Sequence, residues 1–199
     1  MTEHITVDEV INKVKCDYFE PFDDFDEYFW VQGGCIVDAF MGKPINDIDI
    51  FFINRDIREK ALDHMLNKGF TYIKENPTHY KLTNNVLKYD ILSHERYISP
   101  KSNIKLADYQ HCAVAIDSNG KFYAHDNFFD RLKDRKLLPV SSDNFNPVHI
   151  WPIHAIRRIL KLLKKGWTID QETLITVLER SVYLQDHIIN PNPKVRKKK

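Results

Sequence analysis

Asp47 and Asp49 stand two residues apart in the run Asp47-Ile-Asp-Ile-Phe-Phe-Ile53. The length of this run and its β-branched and aromatic content predict a strand, on which residues i and i+2 share a face. Two carboxylates held side by side repel, and a solvent-facing strand has no reason to favour them. Hard cations remove that penalty, since Mg²⁺ takes one or two carboxylates together with phosphate oxygens and water. The rest of the run is apolar on both faces, which puts the strand inside a sheet and the carboxylates at its N-terminal end. Asp90, in Leu87-Lys-Tyr-Asp-Ile-Leu92, is an acid set among strand formers. It reads either as a third metal ligand from a neighbouring strand or as a general base for an attacking hydroxyl. The chain has only six glycines, and two of them, Gly33 and Gly34, are adjacent at the end of the β-rich run 28–32. Without Cβ atoms, backbone amides can approach a phosphate closely, and a helix starting there aims its unpaired N–H groups and positive dipole end at the same place. Taken singly, a DxD, a GG and an isolated acid are ordinary surface and turn features. In this order and spacing they predict a two-metal site for phosphoryl transfer.

Such a site needs strands and helices to hold it. Periodicity and breakers predict an amphipathic helix over 6–17, a strand over 28–32, a short helix over 35–42 and the strand 47–53. A helix over 56–68 follows, stopped at Gly69, and then strands over 70–74, 79–83 and 86–92, with Asn84-Asn85 as the hairpin turn between the last two. The polar stretch 93–105 reads as a connection. A strand over 111–116 turns at Ser118-Asn-Gly120 into 121–124, and a short helical segment surrounds 128–135. Helices over 148–165 and 171–187 end the pattern, and Asn190-Pro-Asn-Pro breaks the second. The expected fold is α/β (α+β). It has a mixed-sheet domain over 1–140, a short helical neck over 141–190 and a basic, disordered tail over 191–199.

Composition sets limits on function. The 199 residues are 43% hydrophobic and carry 12 Phe and 9 Tyr, enough to bury a core, and the net charge of +1 gives no global steering toward nucleic acid. Charge is uneven, however: 17–27 is acidic, while 157–165 and 194–199 are basic. Cys16, Cys35 and Cys112 are odd in number and lack CxxC spacing, which argues against a disulfide framework or a zinc ribbon. The first residues show no signal pattern, and no apolar run approaches membrane-spanning length, so a soluble cytoplasmic protein is expected. Arg157, Arg158, Lys161, Lys164 and Lys165 read equally as a solvated helix face or as a phosphate-binding stripe.

The segment Gly33-Gly-Cys-Ile-Val-Asp-Ala-Phe-Met-Gly-Lys-Pro-Ile-Asn-Asp-Ile-Asp49 resembles the motif of the polymerase-β-type nucleotidyltransferase superfamily. It is closest to the head domain of the class II CCA-adding enzymes and bacterial poly(A) polymerases, whose pattern runs GGxVRDxLLGxxxxDxD. Gly33, Gly34, Asp38, Gly42, Asp47 and Asp49 fall in register. Asp108-Tyr-Gln-His-Cys-Ala-Val-Ala115 is similar to that family's DFTINALA strand, and residues 157–170 resemble its neck helix. The resemblance implies a sheet of nucleotidyltransferase type with flanking helices. It also implies Mg²⁺ (two ions, with Mn²⁺ as an alternative) at Asp47, Asp49 and Asp90, and an NTP held by Gly33, Gly34, Asp38, Lys43 and Asp108. The chain departs from the pattern at Val37, Leu106, Ala107, Cys112 and Leu160, and has no EDxxR segment, the feature with which the family reads incoming bases.

The reaction expected from this reading is in-line attack of an acceptor hydroxyl on the α-phosphate of an NTP, with pyrophosphate leaving. The favoured acceptor is an RNA 3′ end, in particular that of tRNA. Two rivals stand beside it: the same transfer onto a protein or small molecule, and a catalytically weak RNA-binding factor that kept the fold.

Overall fold

The computed structural model describes residues 5–45, 47–76, 79–93, 98–140 and 152–189. Helix α1 (Val7–Tyr18) starts at a capping box, in which Thr6 and Glu9 satisfy each other's free backbone amides. It leads to strand β1 (Phe29–Gln32), helix α2 (Gly34–Phe40) and strand β2 (Asp47–Phe52). Helix α3 (Arg55–Asn67) begins where the Asn54 side chain accepts from the Ile57 amide. Strands β3 (Thr71–Asn76), β4 (His79–Thr83) and β5 (Lys88–Ser93) follow. The β4–β5 turn uses Asn85 at φ 71°, while the Asn84 carboxamide accepts from the Val86 and Leu87 amides.

Two stretches differ from expectation. The polar connection holds a short helix, α4 (Pro100–Asn103), with Ser99 accepting from the Ser102 amide and Pro100 at the first position. A Ser-Pro pair is a helix-start signal that a count of polar residues hides. The strand expected over 111–116 begins only at Val114, as β6 (Val114–Asp117). Gln110–Cys112 wind into a 3₁₀ turn instead, because Gln110 is held by Leu138 and Pro139 through its amide and side chain. Strand β7 (Phe122–Ala124) and helix α5 (Phe128–Asp134) complete the sheet domain. Helices α6 (Pro152–Lys164) and α7 (Gln171–Ile189), here called the neck, follow. Residues 141–151, where the neck was expected to begin, and the tail 191–199 lie outside the described residues.

The sheet order is β3-β4-β5-β2-β1-β6-β7. All neighbours are antiparallel except β2 and β5, which run parallel through the crossover that contains α3. One face carries the main core, where Ile48, Ile50, Phe52, Tyr89 and Ile91 meet Val14, Ile36, Ala61 and Met65. On the other face a smaller cluster joins Trp30, Phe51, Ala113 and Ala115 to Ile104 and Ala107. That cluster covers the middle of the sheet, and at the start of β2 Asp47 stays exposed while Asp49 and Asp90 are half-buried. No helix among the described residues is long and apolar enough to cross a membrane.

Candidate active site

Strand register builds the site. Gln32 pairs with Asp49, Asp49 with Asp90, and Asp90 with Lys81. These four side chains therefore form one row across β1, β2, β5 and β4, on the face opposite Ile48, Ile50 and Ile91. Asp47 lies on the same face, one pleat nearer the strand start. Lys81 Nζ sits 3.2 Å from Asp90 Oδ2 and 3.5 Å from Asp47 Oδ1. Asp90 Oδ1 is buried and has no hydrogen-bond partner. Burial first, and the negative charge of Asp90 next, push the Asp49 carboxyl up to about 6, while Arg158 and Lys81 act in the opposite direction. Burial works against the Lys81 ammonium, yet Asp90 and Asp47 hold it above the usual lysine range.

Three carboxylates gathered on one face are hard oxygen donors of the type Mg²⁺ takes, and the orphaned Asp90 oxygen is a free ligand atom. Among the described residues no three metal-ligating side chains already converge on one point. Lys81 instead supplies the positive charge between Asp47 and Asp90. The donor set fits a divalent cation, with the Lys81 ammonium as the group a cation would displace.

Gly33 caps α2 at φ 87° and ψ −129°, a conformation open to glycine alone, and its amide donates to the Val114 carbonyl at 2.9 Å. Gly34 opens α2, and a Cβ added there would meet nothing within 4 Å. The space in front of the Gly34 backbone is therefore free for a ligand.

The other residues expected at the nucleotide turn toward the neck. The Asp38 carboxylate accepts from Lys165 Nζ at 2.7 Å, and Lys43 Nζ donates to the Lys165 carbonyl at 2.9 Å. Asp108 is buried against Arg158, with Oδ2 2.6 Å from Nε. Of the five neck cations, Arg158 and Lys165 are thus engaged with the sheet domain, whereas Arg157, Lys161 and Lys164 stay exposed. His111 stacks on Trp167 with ring centroids 3.7 Å apart, which packs the 3₁₀ turn onto the link after α6. Burial, then the charge of Arg158, lowers His111 to about 3, so its ring is neutral.

Sequence reasoning missed Gln32 and Lys81. The only local signal for Lys81 is its alternation with the buried Tyr80 and Leu82 on β4, and its partner depends on register. A cleft of about 630 Å³ also went unforeseen. Lys101, Lys105, Lys121 and His125 surround it, with Tyr123 in its wall. Ile104, Tyr123 and Val140 line it and belong to the cluster on the Asp49 face, so it opens on that side of the sheet.

The seven-stranded mixed sheet with its flanking helices is a fold of nucleotidyltransferase type. A solved tRNA-processing enzyme in its apo form superposes with a TM-score of 0.64 at 17% identity, over 92% of this chain and 49% of that one. A tRNA nucleotidyltransferase complexed with a primer tRNA and an incoming ATP analog gives 0.61 at 18% identity, over 89% and 51%. At these identities the likeness is one of fold. A CCA-adding enzyme of Lactiplantibacillus plantarum is 23% identical over 178 residues, covering 80% of this chain and 41% of the enzyme. Residues 5–135 match the family described as Gad2, Gabija anti-defense 2 family protein, and the chain belongs to that family. A Gabija anti-defense 2 protein of Bacillus phage SPbetaL7 is 24% identical over 149 residues, which is 74% of this chain and 36% of the relative. The chain spans about half the length of these solved structures and about two-fifths of the curated relatives.

Proposed function

We propose that this protein is a metal-dependent nucleotidyltransferase that moves an NMP from an NTP to an acceptor hydroxyl, and that the transfer counteracts the Gabija defence. The observation that carries the reading is the row Gln32–Asp49–Asp90–Lys81, with Asp47 beside it and a buried, unpartnered oxygen on Asp90. Asp47, Asp49 and Asp90 would hold Mg²⁺, which when bound supplies charge neutralisation on the phosphates and a more acidic acceptor hydroxyl. Lys81 balances the carboxylates until the cation arrives. The open backbone at Gly34 offers amides to the phosphates. Arg158 places positive charge near Asp49, where negative charge builds as pyrophosphate departs. Lys43, Asp38 and Lys165 keep the neck, and therefore Arg158, fixed against that site.

An RNA 3′ end is the acceptor favoured by the fold, since a similar structure holds a primer tRNA. The cleft on the Asp49 face, with its three exposed lysines, is suited to a phosphate backbone, and Tyr123 offers an aromatic wall. A protein hydroxyl is the second reading, favoured by the commitment of Arg158 and Lys165 to internal ion pairs, which removes two of five neck cations from RNA contact. Incubation with each α-labelled NTP, Mg²⁺, total RNA and purified Gabija proteins tests both. Label removed by ribonuclease supports the first reading, and label removed by protease the second. RNA binding without any label transfer, in a folded protein, would leave a binding factor that kept the fold.

A further inference from the structure

The neck carries an apolar surface that no described residue covers. On α6, Ile153, Ile156, Leu160 and Leu163 are spaced three, four and three residues apart, and each is 38–51% exposed. On α7, Ile175, Leu178 and Val182 repeat the same three-and-four spacing, with Ile175 and Val182 45% and 49% exposed. This is the a/d pattern of a helix seam. It is not the seam between α6 and α7, which is filled by Ala155, Ile159 and Leu162 with Leu174 and Val177. At about 100° per residue, each exposed stripe lies roughly a quarter-turn from that inner seam, in the same rotational sense on both helices. The link between α6 and α7 is short, which makes them antiparallel neighbours. In an antiparallel pair, equal rotations carry both stripes to one side, so they form a continuous apolar face.

The flanks of this face carry opposite charges. Beyond the α6 stripe lie Arg157, Lys161 and Lys164; beyond the α7 stripe lie Glu172 and Glu179. All five are exposed, and none has an ion-pair partner among the described residues. We propose that the occupant is a second copy of this chain, docked neck to neck as a four-helix bundle about a two-fold axis parallel to the helices. Such an axis lays α6 of each protomer on α7 of its partner. The apolar stripes then close on each other, and the basic flank of α6 meets the acidic flank of α7 at both edges. The alternative two-fold, α6 on α6, would set three cations against three cations and is disfavoured by like charge. An isologous pairing uses both flanks twice, which is why charge complementarity within one chain selects a second copy over an unrelated helix.

Sedimentation velocity of the full chain across the micromolar range should show a species of twice the 23.6 kDa monomer mass. Leu160→Glu with Leu163→Glu changes only exposed positions. It should give a monomer with an unaltered circular dichroism spectrum. Glu172→Lys with Glu179→Lys should weaken the dimer about tenfold or more, and adding Lys161→Glu with Lys164→Glu to the same chain should restore it. A monomer throughout that range, a Leu160/Leu163 variant that remains dimeric, or a charge reversal without rescue would each overturn the proposal.

Discussion

Asp49 is caught between two demands. Under the proposed function its carboxyl must ionise to bind a cation, but burial and the neighbouring Asp90 raise its pKa from 3.8 to about 6. A raised carboxyl pKa means that the folded chain holds the proton more tightly than the unfolded chain. Stability from this group is complete below about pH 4 and declines as pH rises through 6. Above pH 6 the ionised Asp49 costs on the order of 2 kcal/mol in the metal-free protein. Asp49→Asn is therefore expected to abolish nucleotide transfer while raising the metal-free melting temperature at pH 7.5 by about 4–8 °C. Mg²⁺ should raise the melting temperature of the wild type and leave that of the Asp49→Asn variant nearly unchanged. Calorimetric melts with and without Mg²⁺ check both, and a fall in stability on substitution would count against the acidic site. At Gly34 a Cβ meets no protein atom, so Gly34→Val should fold normally yet bind NTP at least about tenfold more weakly by isothermal titration. Unchanged affinity would make the pair of glycines a turn and nothing more.

At the scale of elements, the neck shares the main core through Ala155, Ile159 and Trp167, and polar and aromatic links tie it to the residues around the site. Lys165 bonds Asp38 through its ammonium and Lys43 through its carbonyl, Arg158 bonds Asp108, and Trp167 stacks on His111. If Asp38 acts by anchoring α6 and not by touching nucleotide, Lys165→Met should reproduce the effect of Asp38→Asn on the KM for NTP. The double variant should then be no worse than either single one, because the two share one interaction. Additive losses in a steady-state assay would return Asp38 to the nucleotide. Trp167 is 3% exposed, and Trp167→Ala should cost about 3–5 kcal/mol, measured by urea titration.

The whole molecule is nearly neutral, so any hold on RNA must come from local charge. The three lysines of the cleft on the Asp49 face are exposed, and under the proposed function they would meet the acceptor strand. Replacing Lys101, Lys105 and Lys121 with Ala should weaken RNA binding and flatten its log–log salt dependence by about 0.7 for each phosphate that is no longer neutralised. NTP affinity should stay as in the wild type. Filter binding at several salt concentrations measures the slope, and an unchanged slope would favour the protein acceptor.

What the sequence determined by itself was local. The two-residue spacing of Asp47 and Asp49 puts both on one face of any strand, and Gly33-Gly34 permits a positive-φ turn into a helix, whatever surrounds them. The placement of Asp90 in a strand was legible for the same reason. Its position beside Asp49 was not, because that depends on β2 and β5 pairing in parallel through a helical crossover, and register between distant strands is set by the whole core. Lys81 enters the site only through the next strand pairing, β4 on β5. Charge type was readable along α6 but direction was not: neighbouring residues on a helix point about 100° apart. Tertiary packing therefore decided that Arg158 and Lys165 turn toward Asp108 and Asp38 while Arg157, Lys161 and Lys164 face outward. Chain chemistry is written residue by residue, but which residues share a site is a property of the strand pairings and helix packing that only the folded core can fix.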